Sequence, residues 1–189
     1  MTREKQIIKW INQDPLRMSA LKLAASLKLP DWCIAAGFVR NLVWDRLHAY
    51  SVSTPLNDID LIYFDPMQAS RARDKELEDQ LSAISSLPWS VKNQARMHVR
   101  NGDACYQSTS HAMKHWVEVE TAVGAYTSRS GELKLKAPFG VRSLLAGSIT
   151  LNATRQKPTD FRQRLEDKRW LELWPLLKVQ QGSTVSANP

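Results

Sequence analysis

Two stretches decide the reading: Gly37-Phe38-Val39-Arg40-Asn41, and Asn57-Asp58-Ile59-Asp60-Leu61-Ile62-Tyr63-Phe64-Asp65. The first is a glycine-led step from Ile34-Ala35-Ala36 into a helix that runs through Leu47. The second is a β-rich run stopped by Asp65-Pro66. Side chains alternate along a strand, so Asp58 and Asp60 point the same way. Two neighbouring carboxylates repel each other, and both stay ionised most readily with a cation between them. Mg²⁺ suits that place, because it takes oxygen ligands and is readily shared with substrate phosphates. The glycine lets backbone approach a phosphate, and the helix start adds N–H donors and partial positive charge. Arg40, one turn in, can add a charge-assisted contact. Taken singly, each motif also has a plain structural meaning: a turn glycine, a strand-end cap or a solvated edge. Their order, with a helix between them, points towards phosphoryl chemistry.

Outward from this centre, the apolar spacing predicts two packing helices, over residues 5–12 and from Pro15 to Leu27, the second capped by Asp14. Residues 70–84 are highly charged, with Leu77, Leu81 and Ile84 at helical spacing, and read as an amphipathic helix. Trp89–His98 reads as a second strand and residues 108–116 as a short capped helix. A hairpin follows, with Thr121–Tyr126 and Leu133–Ala137 flanking Ser128-Arg129-Ser130-Gly131. A short helix is expected at Val141–Leu145 and a long final one at Thr159–Leu173. Residues 180–189 read as a disordered tail. The whole is an α+β chain with helices packed on a small mixed sheet.

Composition narrows the class. The 189 residues are 43% hydrophobic and 24% charged, ordinary globular values that disfavour a wholly disordered chain. No apolar run approaches the roughly 20 residues that span a bilayer, and Met1–Lys9 leads into no secretory core. Cys33 and Cys105 make no disulfide framework and no CxxC pair. These features point to a cytoplasmic protein. Residues 1–126 hold 15 basic and 14 acidic side chains, whereas residues 127–189 hold 11 and 5. A basic final third suits phosphate, on a nucleotide or a nucleic acid, or is simply a solvated surface.

The strings Gly37–Asn41, Trp44-Asp45-x-Leu47-His48, Asn57–Asp65, Trp89–His98, Ala137–Gly140 and Lys168-Arg169-Trp170…Trp174-Pro175 resemble a bacterial nucleotidyltransferase-like family. That family is similar to the polymerase-beta-type nucleotidyltransferase superfamily. It also resembles the G-G-x-V-R-D…D-x-D opening of tRNA-nucleotidyl-transferring enzymes. The resemblance implies a polymerase-beta-like domain over residues 1–179, with residues 1–30 as N-terminal packing helices. It implies that Asp58 and Asp60 are catalytic and hold Mg²⁺ around the triphosphate of an NTP. Gly37 and the Phe38 backbone would cradle phosphate, supported by Arg40 and Asn41, with Lys92, Asn93 and Arg96 facing the same cleft. The acceptor (RNA, protein or small molecule) is left open. An alternative is a catalytically silent nucleotide- or nucleic-acid-binding protein on the same fold.

Two departures stand out. Phe38 occupies the place where the superfamily has a second small residue. No carboxylate lies in Ser90–His98, so a third metal-binding acid would have to come from Glu118 or Glu120. Other signals carry less. His111-x-x-x-His115 lacks the glutamate and third ligand of a zinc site, and no Walker A or Gly-x-Ser-x-Gly string occurs. His48 and His98 read as structural histidines, with a place along the cleft as the alternative for His98. The tryptophans read mostly as core, with Trp44, Trp89 and Trp116 as candidates to stack on a base. Cys33 and Cys105 read as buried or inert.

Overall fold

Thr2 and Asp14 start the first two helices by the same device. Each side-chain oxygen accepts an amide three residues on, from Lys5 and Arg17 respectively. In this computed structural model, which describes residues 1–180, the helices are α1 (Arg3–Asn12) and α2 (Pro15–Ser26). They bury Ile7, Ile11, Ala20, Leu21 and Ala24. Arg17 is also buried, paired with Asp14, and its Nε donates to the Phe38 carbonyl at 2.7 Å. That bond ties the N-terminal helices to the first turn of α3 (Gly37–Leu47).

The main sheet has five strands: β1 (Cys33–Ala35), β2 (Ile59–Tyr63), β3 (Trp89–Asn93), β4 (Gly124–Thr127) and β5 (Leu133–Lys136). Their order is β3-β2-β1-β4-β5, with β2 and β3 parallel and the other neighbours antiparallel. The α+β expectation of a small mixed sheet is met. The parallel pair needs a crossover, which α4 (Arg71–Ile84) supplies. Carboxylates of α4 also satisfy the outward amides of edge strand β3: Glu78 takes Val91 N–H at 3.1 Å and Asp74 takes Asn93 N–H at 3.0 Å. An edge satisfied in this way is closed to pairing with another chain.

Strand alternation sorts the two faces. Ile34, Ile59, Leu61, Tyr63 and Val91 join the large core with the helices. Cys33, Ala35 and Ile62 point to the other face, covered in part by Met113 of α6 (Thr109–Met113).

Several expected boundaries move. Strand β3 stops at Asn93, whose side chain accepts Ala95 N–H at 3.0 Å and starts a 3-10 turn (Gln94–Arg96) leading into α5 (Met97–Asn101). The first hairpin strand begins at Gly124, because residues 121–123 turn tightly, with Val123 N–H on the Thr121 carbonyl at 2.8 Å. The long final helix is two, α8 (Pro158–Lys168) and α9 (Trp170–Leu173), broken where Arg169 adopts φ +49°. After α7 (Arg142–Leu145), β6 (Ser148–Thr150) pairs in parallel with β7 (Lys178–Gln180), a pairing absent from the sequence reading. Gln180 therefore ends a strand, and the rest of the expected tail lies outside the described residues.

Candidate active site

The antiparallel register of β1 and β2 sets Cys33 beside Ile62 and Ile34 beside Leu61. Continued by one step, it brings Ala35 to Asp60. The end of β1, the start of α3 and the Asp58–Asp60 segment thus meet at one end of the sheet. A cleft of about 540 Å³ opens there on the face away from the large core, lined by Ala36, Asp60, Lys92, Glu118, Thr121 and Arg164, with Trp116 among others.

At the helix start, Ala36 takes φ +54°, ψ −121°, a conformation that favours glycine. Its carbonyl accepts the Arg40 amide at 2.9 Å, closing the first turn. The amides of Gly37 and Phe38, at the head of the helix, have no intrahelical partner. The two-small-residue opening is therefore Ala36-Gly37, and Phe38 does not replace a small residue at all. Its ring is fully buried in the core, with the Arg17 guanidinium 5.7 Å from the ring centroid. A Cβ on Gly37 would touch the Asn41 side chain at 3.4 Å, so Gly37 packs closely over Asn41.

Arg40 is 7% exposed and runs under the cleft floor. It donates to Thr121 Oγ1 at 2.9 Å and to Asn41 Oδ1 at 3.0 Å, while its Nε has no hydrogen-bond partner among the described residues. Burial pushes the guanidinium down to about 10, and the Glu118, Asp58 and Asp60 carboxylates pull it back up. It remains a cation at neutral pH.

Asp60 is half-buried and Asp58 is exposed just ahead of β2. Burial and then the Asp58 charge push the Asp60 carboxyl above the usual range, against the pull of Lys92, a hydrogen bond from Ser90, and Arg40. Lys92 Nζ donates to Ser90 Oγ. Glu118 is 1% exposed and clamped by Arg164, Nε to Oε1 at 2.5 Å and the second nitrogen to Oε2 at 3.2 Å.

Of the residues singled out in the sequence, the cleft gathers Asp60, Lys92 and Glu118, with Asp58 and Gly37 beside them. It does not gather Asn93 or Arg96. Asn93 is fully buried on the opposite face, donating to the carbonyls of Asp65 at 2.7 Å and Gln68 at 3.1 Å, and Arg96 pairs with Asp74 of α4. Neighbouring strand residues cannot share a face, so Lys92 and Asn93 part company. Glu120 accepts Thr150 N–H at 2.7 Å and Thr150 Oγ1 at 2.8 Å and does not line the cleft. Trp44 is fully buried, Trp89 donates to Ser85 Oγ at 2.8 Å, and Trp116 alone of the three stacking candidates reaches the cleft. Arg155, Lys157, Gln163 and Arg164 on the far wall were missed as individuals. Their signal was the basic excess of residues 127–189.

Asp58 and Asp60 provide two carboxylates on one side of an open cleft. Among the described residues no group of three or more His, Cys, Asp or Glu side chains is placed to hold a metal alone. A pair of carboxylates completed by phosphate oxygens and water is a donor set that fits Mg²⁺. Beneath the same spot the Arg40 Nε has no hydrogen-bond partner among the described residues.

A family described as nucleotidyltransferase matches residues 22–179. The chain belongs to the nucleotidyltransferase family. A solved NMR structure described as revealing a CCA-adding enzyme head domain superposes with a TM-score of 0.83 at 29% identity, covering 95% of this chain and 96% of that one. A CCA-adding enzyme in complex with CTP gives a TM-score of 0.60 at 16% identity, over 95% of this chain and 44% of the other. A tRNA-processing enzyme complex gives 0.54 at 16%, over 85% and 42%. The last two share the fold, and this nucleotidyltransferase chain spans less than half their length. No curated protein matches it. No described helix is long and apolar enough to cross a membrane.

Proposed function

We propose that the chain transfers a nucleoside monophosphate from an NTP to an acceptor hydroxyl, in the cytoplasm, with residues 1–179 acting as one unit. The observation that carries this reading is the meeting of the α3 N-terminus with Asp58 and Asp60 at the mouth of the cleft. Asp58 and Asp60 would hold Mg²⁺, which when bound neutralises phosphate charge and polarises the reacting phosphoryl group. The amides of Gly37 and Phe38 and the positive end of α3 take up phosphate oxygens. Lys92 adds a second, fixed cation from the neighbouring strand. Arg40 adds positive charge beneath Asp60 and braces Thr121 in the cleft wall through its bond to Oγ1. In the reaction the acceptor oxygen bonds to the α-phosphorus as the α–β bridging bond breaks. Pyrophosphate leaves with the bonding pair, and the hydroxyl proton passes to solvent.

The likeness to a CCA-adding enzyme head domain makes an RNA 3′ hydroxyl the first acceptor to try. Calorimetry with each NTP, with and without Mg²⁺, tests the binding half, and pyrophosphate release with candidate acceptors tests transfer. Metal-dependent binding of at least one NTP is expected. Binding of none, at any Mg²⁺ concentration, would overturn the reading.

A further inference from the structure

We infer that this site takes a single divalent cation, and that the Lys92 ammonium holds the place and charge of a second. The inference rests on the nucleotidyltransferase reading above and goes beyond it in metal stoichiometry.

Two-cation sites hold their ions roughly 3.5–4 Å apart, so each ion needs anionic ligands of its own or shares a bridging carboxylate. Here the first ion has Asp58 and Asp60. The parallel register of β2 and β3 puts Ser90 beside Asp60 and Lys92 beside Ile62. Asp60, Ile62 and Lys92 line the cleft, and on the neighbouring strand the place next to Asp60 holds the Ser90 hydroxyl with the Lys92 ammonium bonded to it. A second dication there would meet like charge where it needs a ligand.

The other acidic side chains near the cleft are already engaged. Both oxygens of Glu118 are on Arg164, and Asp160 lies 3.5 Å from Lys157. Glu120 serves Thr150. Arg40 adds a further positive charge below, 7% exposed and with no partner for its Nε among the described residues. With Asp58 and Asp60 on the first ion, no further free carboxylate among the described residues lines the cleft to serve a second. Lys92 is suited to the substitution, because an ammonium is a compact point charge with three donors. One is used on Ser90, which leaves two for phosphate oxygens.

The test is a manganese titration of the full chain, with free Mn²⁺ counted by electron paramagnetic resonance, alone and with a non-hydrolysable NTP. Only ions whose binding Asp60→Asn abolishes are counted. One ion per chain is expected. Lys92→Asp replaces the ammonium with a carboxylate on the same face, diagonally across from Asp60, and should raise the count to two. Lys92→Met removes the neighbouring cation and should tighten the single ion about tenfold. Two ions in the unsubstituted chain overturn the inference and leave the nucleotidyltransferase reading standing. No ion overturns both. A count of one in folded Lys92→Asp also overturns it. If Lys92→Asp does not fold, unchanged affinity in Lys92→Met overturns it.

Discussion

The guanidinium carbon of Arg40 lies 4.5 Å from the Trp170 ring centroid and 4.9 Å from that of Trp44. A cation from the first turn of α3 is thus clamped by an aromatic ring from near the end of the chain. The stack continues on both sides: Arg164 lies 5.8 Å from the Trp170 ring, and Trp174 meets Trp44 edge-on at 5.1 Å while donating to Asp45 Oδ1 at 2.8 Å. Arg164 in turn clamps Glu118. Aromatic faces attract cations, so the alternating stack joins the motif helix to the far wall of the cleft.

Trp170→Ala should therefore destabilise the fold by about 3–5 kcal/mol, the usual loss for a buried tryptophan. Urea denaturation measures it. Trp170→Phe keeps an aromatic face over Arg40 and should retain most of the stability. Equal losses in the two variants would show that an aromatic face over Arg40 contributes nothing to stability.

Asp58→Asn and Asp60→Asn should abolish metal-dependent nucleotide binding while leaving the ligand-free protein at least as stable as before. The sign follows from the raised Asp60 carboxyl: burial and Asp58 disfavour its charged form, so a neutral side chain relieves the folded state. Aspartates that merely cap the strand would behave in the opposite way, losing roughly 1–3 kcal/mol on neutralisation. Thermal melts paired with a Mg²⁺–NTP titration separate the two. A lower Tm with an unchanged nucleotide response would remove both residues from the site.

Gly124 pairs with Ala35 across β1 and β4, and its open side meets the Cys33 side chain. A Cβ there would fall 2.6 Å from Cys33 Sγ, 3.1 Å from its Cβ and 3.2 Å from the Ile34 carbonyl oxygen. Gly124→Ala should cost about 1–3 kcal/mol through overpacking. Adding Cys33→Ala should recover part of it, because the thiol clash disappears and the backbone contact does not. Full additivity of the two substitutions in a denaturation series would contradict this contact.

Burial pushes the Cys33 thiol up to about 12 from 9.0, whereas Cys105 is exposed. The native protein should show one thiol to a water-soluble disulfide reagent and two after unfolding. The pH effect has a definite sign. Above pH 9 the unfolded chain ionises Cys33 while the folded chain cannot until about 12, so stability is retained below pH 9 and falls across pH 9–12. Cys33→Ala should flatten that alkaline slope relative to the unsubstituted protein.

Local chemistry explains what could be read early. The Asn57–Asp65 string carries strand propensity, alternation and a proline stop in nine residues, and it forms β2. Helices α2 and α4 were legible because each has a side-chain cap and a periodic apolar stripe. Strands β6 and β7 have three residues each and stand far apart in sequence, so neither has a local signature. The break at Arg169 was hidden too, because a positive φ at an arginine is not dictated by residue type.

The sequence by itself determined the α+β class, the glycine-led helix ahead of an Asp-x-Asp strand and the basic character of the final third. These depend on neighbours a few positions apart, where propensity and alternation act directly. Only the tertiary structure decided which side chains share the cleft. Asn93 and Arg96 turned to α4 because strand faces alternate and Asp74 waits on the other side. Arg155, Lys157 and Arg164 came to the far wall because an aromatic stack folds the chain's end back over α3. Such placements are made by contacts between residues 40 and 170, whose pairing no local pattern encodes.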